Sequence, residues 1–273
     1  VLVLGSTNDS LLACLLGATS VNPLPPHYRC TNCHYTTFGR DRYEDGWDMP
    51  DAVCPVCGGS MEGDGHRLSS RSLAMRLPDI SLRVPDEMRQ LVTDFIPDYW
   101  QRMDENGIFT VEPYSDEELT ALRLVQSDGQ QGIIEIGALR DDALALEGLP
   151  PLTTTYHHIK AMGLQLAEGA WSRAEQIAIH RGDVDFLDVI AFREDVYDLI
   201  RRHTPPKARA ENGIPWQIME AVRKGKYARY GMPEELKRYL SCTLRLPKYY
   251  ISALKRIEYL PKKGDCVARW MME

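Results

Sequence analysis

The chain has 273 residues, 44% of them hydrophobic and 26% charged, with a formal net charge of −7 and a sequence pI of about 5.6. That length and apolar content suffice to bury one large core or two modest ones, and they exclude a disordered or collagen-like chain. No apolar run approaches the ~20 residues that a membrane span needs, and the opening stretch 1–18 contains Asp9 and lacks a basic leader, so a cytoplasmic protein with no membrane partner is expected.

Residues 1–4 read as a strand entering the polar turn Gly5-Ser6-Thr7-Asn8-Asp9-Ser10, and residues 11–16 continue as a short helix stopped by Gly17. A strand, a polar turn and a helix start can together cradle phosphate. The segment 22–65 carries Cys30, Cys33, Cys54 and Cys57 as a C-x2-C, twenty-residue spacer, C-x2-C array. Each pair can present two thiolates from one tight knuckle, Thr31-Asn32 in the first and Pro55-Val56 in the second, a pattern that suits a tetrahedral, structural Zn2+. Two disulfides or unpaired buried thiols are the competing readings, and the paired knuckles favour a zinc ribbon. His27 and His34 flank the first knuckle and are spare ligands that four thiolates make unnecessary. Cys14, Cys242 and Cys266 are scattered and odd in number, as free thiols in a reducing compartment would be.

Residues 77–82 alternate as a core strand, and everything after them reads as helical. Ser115-Asp116-Glu117-Glu118 forms a capping box, while 171–180 and 186–202 carry apolar residues at helical spacing around Gly182. A linker at 204–213 is followed by helices expected over 215–224, 233–245 and 247–259, each opened by a proline. His157 and His158 read as helix-surface residues, and Trp171, Trp216, Tyr249 and Tyr250 as core or partner surface. Charge is split along the chain. The segment 199–273 holds 17 Lys or Arg against 7 Asp or Glu, a net +10, and the preceding 198 residues carry −17. A basic lobe of this kind can track a phosphate backbone or form a solvated helical surface. The chain also opens in mid-pattern at Val1, and a piece of a longer protein is expected.

Several blocks, in order, resemble the PolC-type alpha subunit of bacterial DNA polymerase III: Gly5-Ser6 through Ala13, Asn22-Pro23-Leu24-Pro25-Pro26-His27-Tyr28-Arg29-Cys30, the second cysteine knuckle, Asp64-Gly65-His66 and Pro78-Asp79-Ile80. Gly107-Ile108-Phe109, Glu135-Ile136-Gly137, Gly163-Leu164, Asp188-Val189-Ile190, Arg193-Glu194-Asp195 and Ile218-Met219-Glu220-Ala221-Val222-Arg223-Lys224-Gly225-Lys226 continue the likeness. The organisation it implies is α+β. A small α/β palm remnant lies at 1–21 and 66–85, a zinc ribbon is inserted at 22–65, a helical region covers 86–182, and a basic, fingers-like helical region covers 183–273.

The resemblance further implies a nucleotidyltransferase that joins a dNTP to a primer end with Mg2+ ions held by aspartates. Asp79 matches the first metal-binding carboxylate, Gly5 and Ser6 the phosphate turn, and Arg223, Lys224 and Lys226 contacts to DNA or triphosphate. The chain departs from the family pattern at Ser81, where a second carboxylate stands, and at Asn8-Asp9, where a second Gly-Ser falls. Leu260-Pro261-Lys262-Lys263-Gly264-Asp265 replaces a Pro-Lys-x-His pattern, and the third carboxylate has no counterpart, Asp86 and Asp94 reading as surface residues. The expectation is a homologue that binds primer-template DNA with nucleotidyl transfer weak or lost, a pseudoenzyme. The alternative is a non-catalytic, zinc-dependent interaction module that binds other replication proteins.

Overall fold

The computed structural model describes residues 2–39, 42–68, 80–84, 87, 108–110, 133–138, 144–205 and 213–271. Two compact units divide the chain, one built from 1–142 with 267–273 and the other from 143–266. The first holds both sheets. Strands β1 (Leu2–Gly5), β6 (Ile80–Val84), β7 (Ile108–Thr110) and β8 (Ile133–Ala138) form a mixed sheet in the order β1-β6-β8-β7, with β6 and β8 parallel and the outer pairs antiparallel. Strands β2 (His27–Cys30), β3 (Thr36–Phe38), β4 (Ala52–Val53) and β5 (Ser60–Asp64) form an antiparallel sheet in the order β3-β2-β5-β4. The all-helical reading after residue 82 therefore fails at β7 and β8. Ile133-Ile134-Glu135-Ile136 is β-branched enough to favour a strand once β6 offers a free edge, and that pairing is too distant in sequence for local periodicity to reveal. The expected capping box at Ser115 lies outside the described residues.

A short 3-10 turn, Ser6–Asp9, follows β1 and leads through Ser10 into helix α1 (Leu11–Leu15), whose first turn the Ser10 hydroxyl caps by accepting from the Ala13 N–H at 3.2 Å. Between α1 and the second sheet, the proline-rich run acts as an acceptor rail. Proline has no N–H to satisfy and fixes φ near −65°, so successive carbonyls are held extended and free to accept. The carbonyls of Asn22, Pro23 and Leu24 accept from the backbone N–H groups of His66, Leu68 and Arg67 at 2.9–3.0 Å, and that of Pro26 accepts from Gly39. The Asn22 amide donates to Asp64 Oδ2 at 2.6 Å. Gly46 lies so close to β5 that a Cβ there would meet the Asp64 carbonyl carbon at 2.1 Å, and its N–H donates to the Gly65 carbonyl at 2.8 Å. Beside it the buried His66 ring pairs through Nδ1 with Asp45 Oδ2 at 2.8 Å and meets Trp47 edge-on.

The second unit is helical: α2 (Thr155–Leu166), α3 (Arg173–His180), α4 (Arg193–His203), α5 (Ile214–Arg223), α6 (Lys226–Tyr230), α7 (Glu234–Arg238) and α8 (Lys248–Arg256), with α9 (Lys263–Trp270) beginning in it. The stretch 186–202 is not one helix. Phe186–Asp188 is a 3-10 turn, and α4 restarts at Arg193 because Asp195 Oδ2 accepts from the N–H groups of Ala191 and Phe192 at 2.8 and 3.1 Å. Likewise α7 gives way at Tyr239–Thr243 to a π-helical turn ending before Arg245, whose φ is 53°. The same Asp195 oxygen receives the buried Lys160 ammonium at 3.2 Å, and Lys160 lies over the rings of Tyr156 and Phe192. A second ion pair joins Glu175 of α3 to Arg256 of α8 at 2.5 Å. Among the described residues no helix is long and apolar enough to cross a membrane.

Helix α2 packs Gly163 against Phe192, where a Cβ would meet Phe192 Cε1 at 2.2 Å. Because Phe192 is fully buried it cannot swing aside, and Gly163→Ala should destabilise the chain by about 1–3 kcal/mol, read as a fall in the urea midpoint. Gly213→Ala, which meets nothing within 4 Å, should stay within about 0.5 kcal/mol.

Candidate metal centre and nucleic-acid interface

Both knuckles of the second sheet are built alike. In the first, the His34 N–H donates to the Cys30 carbonyl at 3.1 Å and the Cys30 N–H to the Tyr35 carbonyl at 2.9 Å. In the second, Gly58 donates to Cys54 at 2.9 Å and Cys54 to Gly59 at 2.8 Å, at the same sequence offsets. Each turn needs a left-handed residue directly after its second cysteine: Gly58 at φ 72° in one, and His34 at φ 59° in the other, where the side chain carries a strain that glycine does not. Gly59 leaves room for the sulfurs, since a Cβ there would stand 3.3 Å from Cys57 Sγ and 3.7 Å from Cys30 Sγ.

These turns bring Cys30, Cys33, Cys54 and Cys57 together with all four sulfurs within 4.8 Å of one another. The Sγ of Cys30 lies 3.5 Å from that of Cys57, and Cys33 3.6 Å from Cys54. Disulfides need about 2.05 Å, so these are four free thiols, arranged near the ~3.8 Å edge of a tetrahedron with metal–sulfur bonds of about 2.3 Å. The Cys33 N–H, donating to Cys30 Sγ, draws the Cys30 thiol down to about 6 from its ordinary 9.0. At Cys33 the Tyr35 backbone also lowers, but desolvation and the three neighbouring sulfurs outweigh it and push that thiol up to about 12. Thiolates at this spacing repel one another, and a divalent cation among them removes that repulsion. All-sulfur donation suits a soft metal, and among the described residues no other group of His, Cys, Asp or Glu is placed to hold one. His27 is committed elsewhere, its Nδ1 2.8 Å from the Pro25 carbonyl.

The other expected residues fall in separate places. Gly5 ends β1 at φ 103°, a conformation that favours glycine, and stands opposite Ile80 in the register. Asn8 of the same turn is fully buried, its amide donating to the Val3 carbonyl at 2.9 Å and its Oδ1 accepting from the Thr19 hydroxyl at 2.6 Å. Asn8 therefore braces the turn from within. Asp79 lies outside the described residues. Ser81 pairs with Glu135 of β8, a carboxylate-bearing position that only the register brings beside it.

In the helical unit Arg223, Lys224 and Lys226 gather where α5 turns into α6. Gly225 makes that turn at φ 63°, packed so that a Cβ would meet the Glu258 carbonyl oxygen at 2.4 Å. Glu220, unremarkable in the sequence, holds both neighbours, with Arg223 at 2.5 and 2.8 Å and Lys224 at 3.2 Å. Burial pushes its carboxyl up, and the two cations more than offset this, leaving it below the ordinary range. Lys226 is exposed, with no ion-pair partner among the described residues.

No protein-family model matches the chain. It is 42% identical over 396 residues to the DNA polymerase III PolC-type of Thermotoga petrophila, a match that covers 97% of this chain and 28% of that protein. The Thermotoga maritima protein of the same name is 40% identical over the same shares, and that of Bacillus subtilis is 40% identical over 88 residues, 30% of this chain. The chain thus spans about 28% of the length of the two Thermotoga relatives. Since 97% of 273 residues is about 265, about 130 of the 396 positions in the Thermotoga petrophila match have no counterpart here.

The sulfur cluster should bind one equivalent of Co2+, used as a spectroscopic probe, with the thiolate charge-transfer and visible bands of a tetrahedral site. Cys57→Ser should weaken that binding by more than tenfold, whereas Cys266→Ser should leave it unchanged.

Proposed function

We propose, on the premise that this chain belongs with the PolC-type DNA polymerase III proteins as a homologue of one segment of them, that it is a DNA-binding part of a replicative polymerase, braced by a structural Zn2+ held by Cys30, Cys33, Cys54 and Cys57. The observation that carries this reading is the match over nearly the whole chain. The basic turn from Arg223 to Lys226 supports it, because two cations share one carboxylate there and a third has no ion-pair partner among the described residues. Such a turn is suited to phosphate, whose contacts position a nucleic acid without reading its sequence.

Nucleotidyl transfer by this chain alone is weak or lost. Ser81 offers a neutral hydroxyl where Mg2+ needs a carboxylate, and Asn8 is spent inside the turn that would grip triphosphate. Asp79 is the carboxylate from which Mg2+ contact is proposed. Gly5 and Ser6 remain the backbone positions from which phosphate contact is proposed.

Anisotropy with a labelled primer-template duplex should show binding that weakens linearly in log–log form with salt, and Arg223→Glu with Lys224→Glu should lower the slope by about one for each phosphate contact removed. Primer extension with Mg2+ or Mn2+ should be absent. Extension would overturn the loss of transfer, and absence of any DNA binding would favour the zinc-dependent interaction module instead.

A further inference from the structure

We propose that α6 is a contact for single-stranded nucleic acid, in which Tyr230 stacks on a base and Lys226 meets the neighbouring phosphate. The proposal rests on the DNA-binding reading above and assigns it a strand type and an aromatic residue. Tyr230 is 80% exposed, the highest value among the exposed large hydrophobic side chains of the described residues. It has no hydrogen-bond or ring partner among them, so its ring face is open to a ligand as far as the described residues extend.

The surrounding geometry fixes the short helix and leaves this position open to solvent. Helix α6 has only five residues, between Gly225 at φ 63° and Gly231 at φ 78°. Tyr227 and Met232 are buried and anchor the helix to the body, and the Arg229 guanidinium donates back to the Lys224 carbonyl at 2.7 Å, closing the turn. Lys226 and Tyr230 are four residues apart, neighbours on the same helix face with Cβ atoms about 5–6 Å from each other. From Arg223 to Tyr230 there are four basic residues and no acidic one.

A cation beside an unpartnered ring selects a ligand that offers both negative charge and flat π-faces. An acidic peptide supplies charge without the faces, and duplex DNA keeps its faces inside the stack. A single strand presents both, and stacking on an aromatic side chain accepts any base.

The test compares binding of a labelled oligo-dT of about 12 nucleotides with binding of a duplex of the same length, by the unsubstituted chain and its variants. Tyr230→Ala should weaken single-strand binding by about 5- to 150-fold, the range for one stacked base, while duplex binding and the salt slope stay nearly unchanged. Tyr230→Phe should keep the affinity, and the Tyr230→Trp variant should show emission quenched by the single strand. Circular dichroism of Tyr230→Ala should match the unsubstituted chain, as expected for so exposed a side chain. Single-strand affinity unchanged in Tyr230→Ala, equal losses on both ligands, or competition by poly-glutamate as strong as by oligo-dT would each overturn the proposal. If the unsubstituted chain binds no DNA, the reading beneath it falls as well.

Discussion

Four sulfurs held within 4.8 Å are the constraint on which the ribbon depends. The buried cluster at its centre consists of Cys30, Cys54 and Met61, with Tyr28 and Ala52 packed against it, so two of its three members are themselves sulfur donors. A core of that size cannot offset the chain entropy of ordering some forty residues, at roughly 1–2 kcal/mol for each residue's backbone. Metal–thiolate bonds in small zinc modules supply folding energy directly, and the matched knuckles set all four donors around one point. Cys30 and Cys33 behave oppositely, the first drawn down by the Cys33 backbone donor and the second pushed up by burial and the neighbouring sulfurs against the lowering pull of the Tyr35 backbone.

The ribbon is tied to the rest of its unit by backbone. In the Asn22-to-His27 run the carbonyls of Asn22, Pro23 and Leu24 accept from the N–H groups of His66, Leu68 and Arg67, while Asp45, Gly46 and Trp47 close over the joint. Two of the most recognisable sequence blocks are therefore partners in one joint. Their conspicuous residues, prolines, glycines and a histidine, are accounted for by geometry and burial without any direct chemical role.

In the helical unit, buried charge does the equivalent work. Lys160 with Asp195 and Glu175 with Arg256 each join distant helices, and breaking either pair would strand a charge in the interior, at a cost of several kcal/mol. That rigidity extends to the surface, where Gly225 packed against Glu258 fixes the direction of α6.

The sequence by itself determined the sulfur array, the presence of helices over 171–180 and near 215–224, the split of charge and the family likeness, because each is a local pattern or a fixed spacing. It also marked Arg223, Lys224 and Lys226, whose neighbourhood is one helix turn. Only the tertiary structure decided that β7 and β8 join the sheet of β1, that Glu135 stands opposite Ser81, and that Asn8 is an internal brace. It likewise revealed that Glu220 holds two cations and that Tyr230 is exposed, with no hydrogen-bond or ring partner among the described residues. Strand pairing, burial and ion pairing join residues far apart in the chain, and no local period records such contacts.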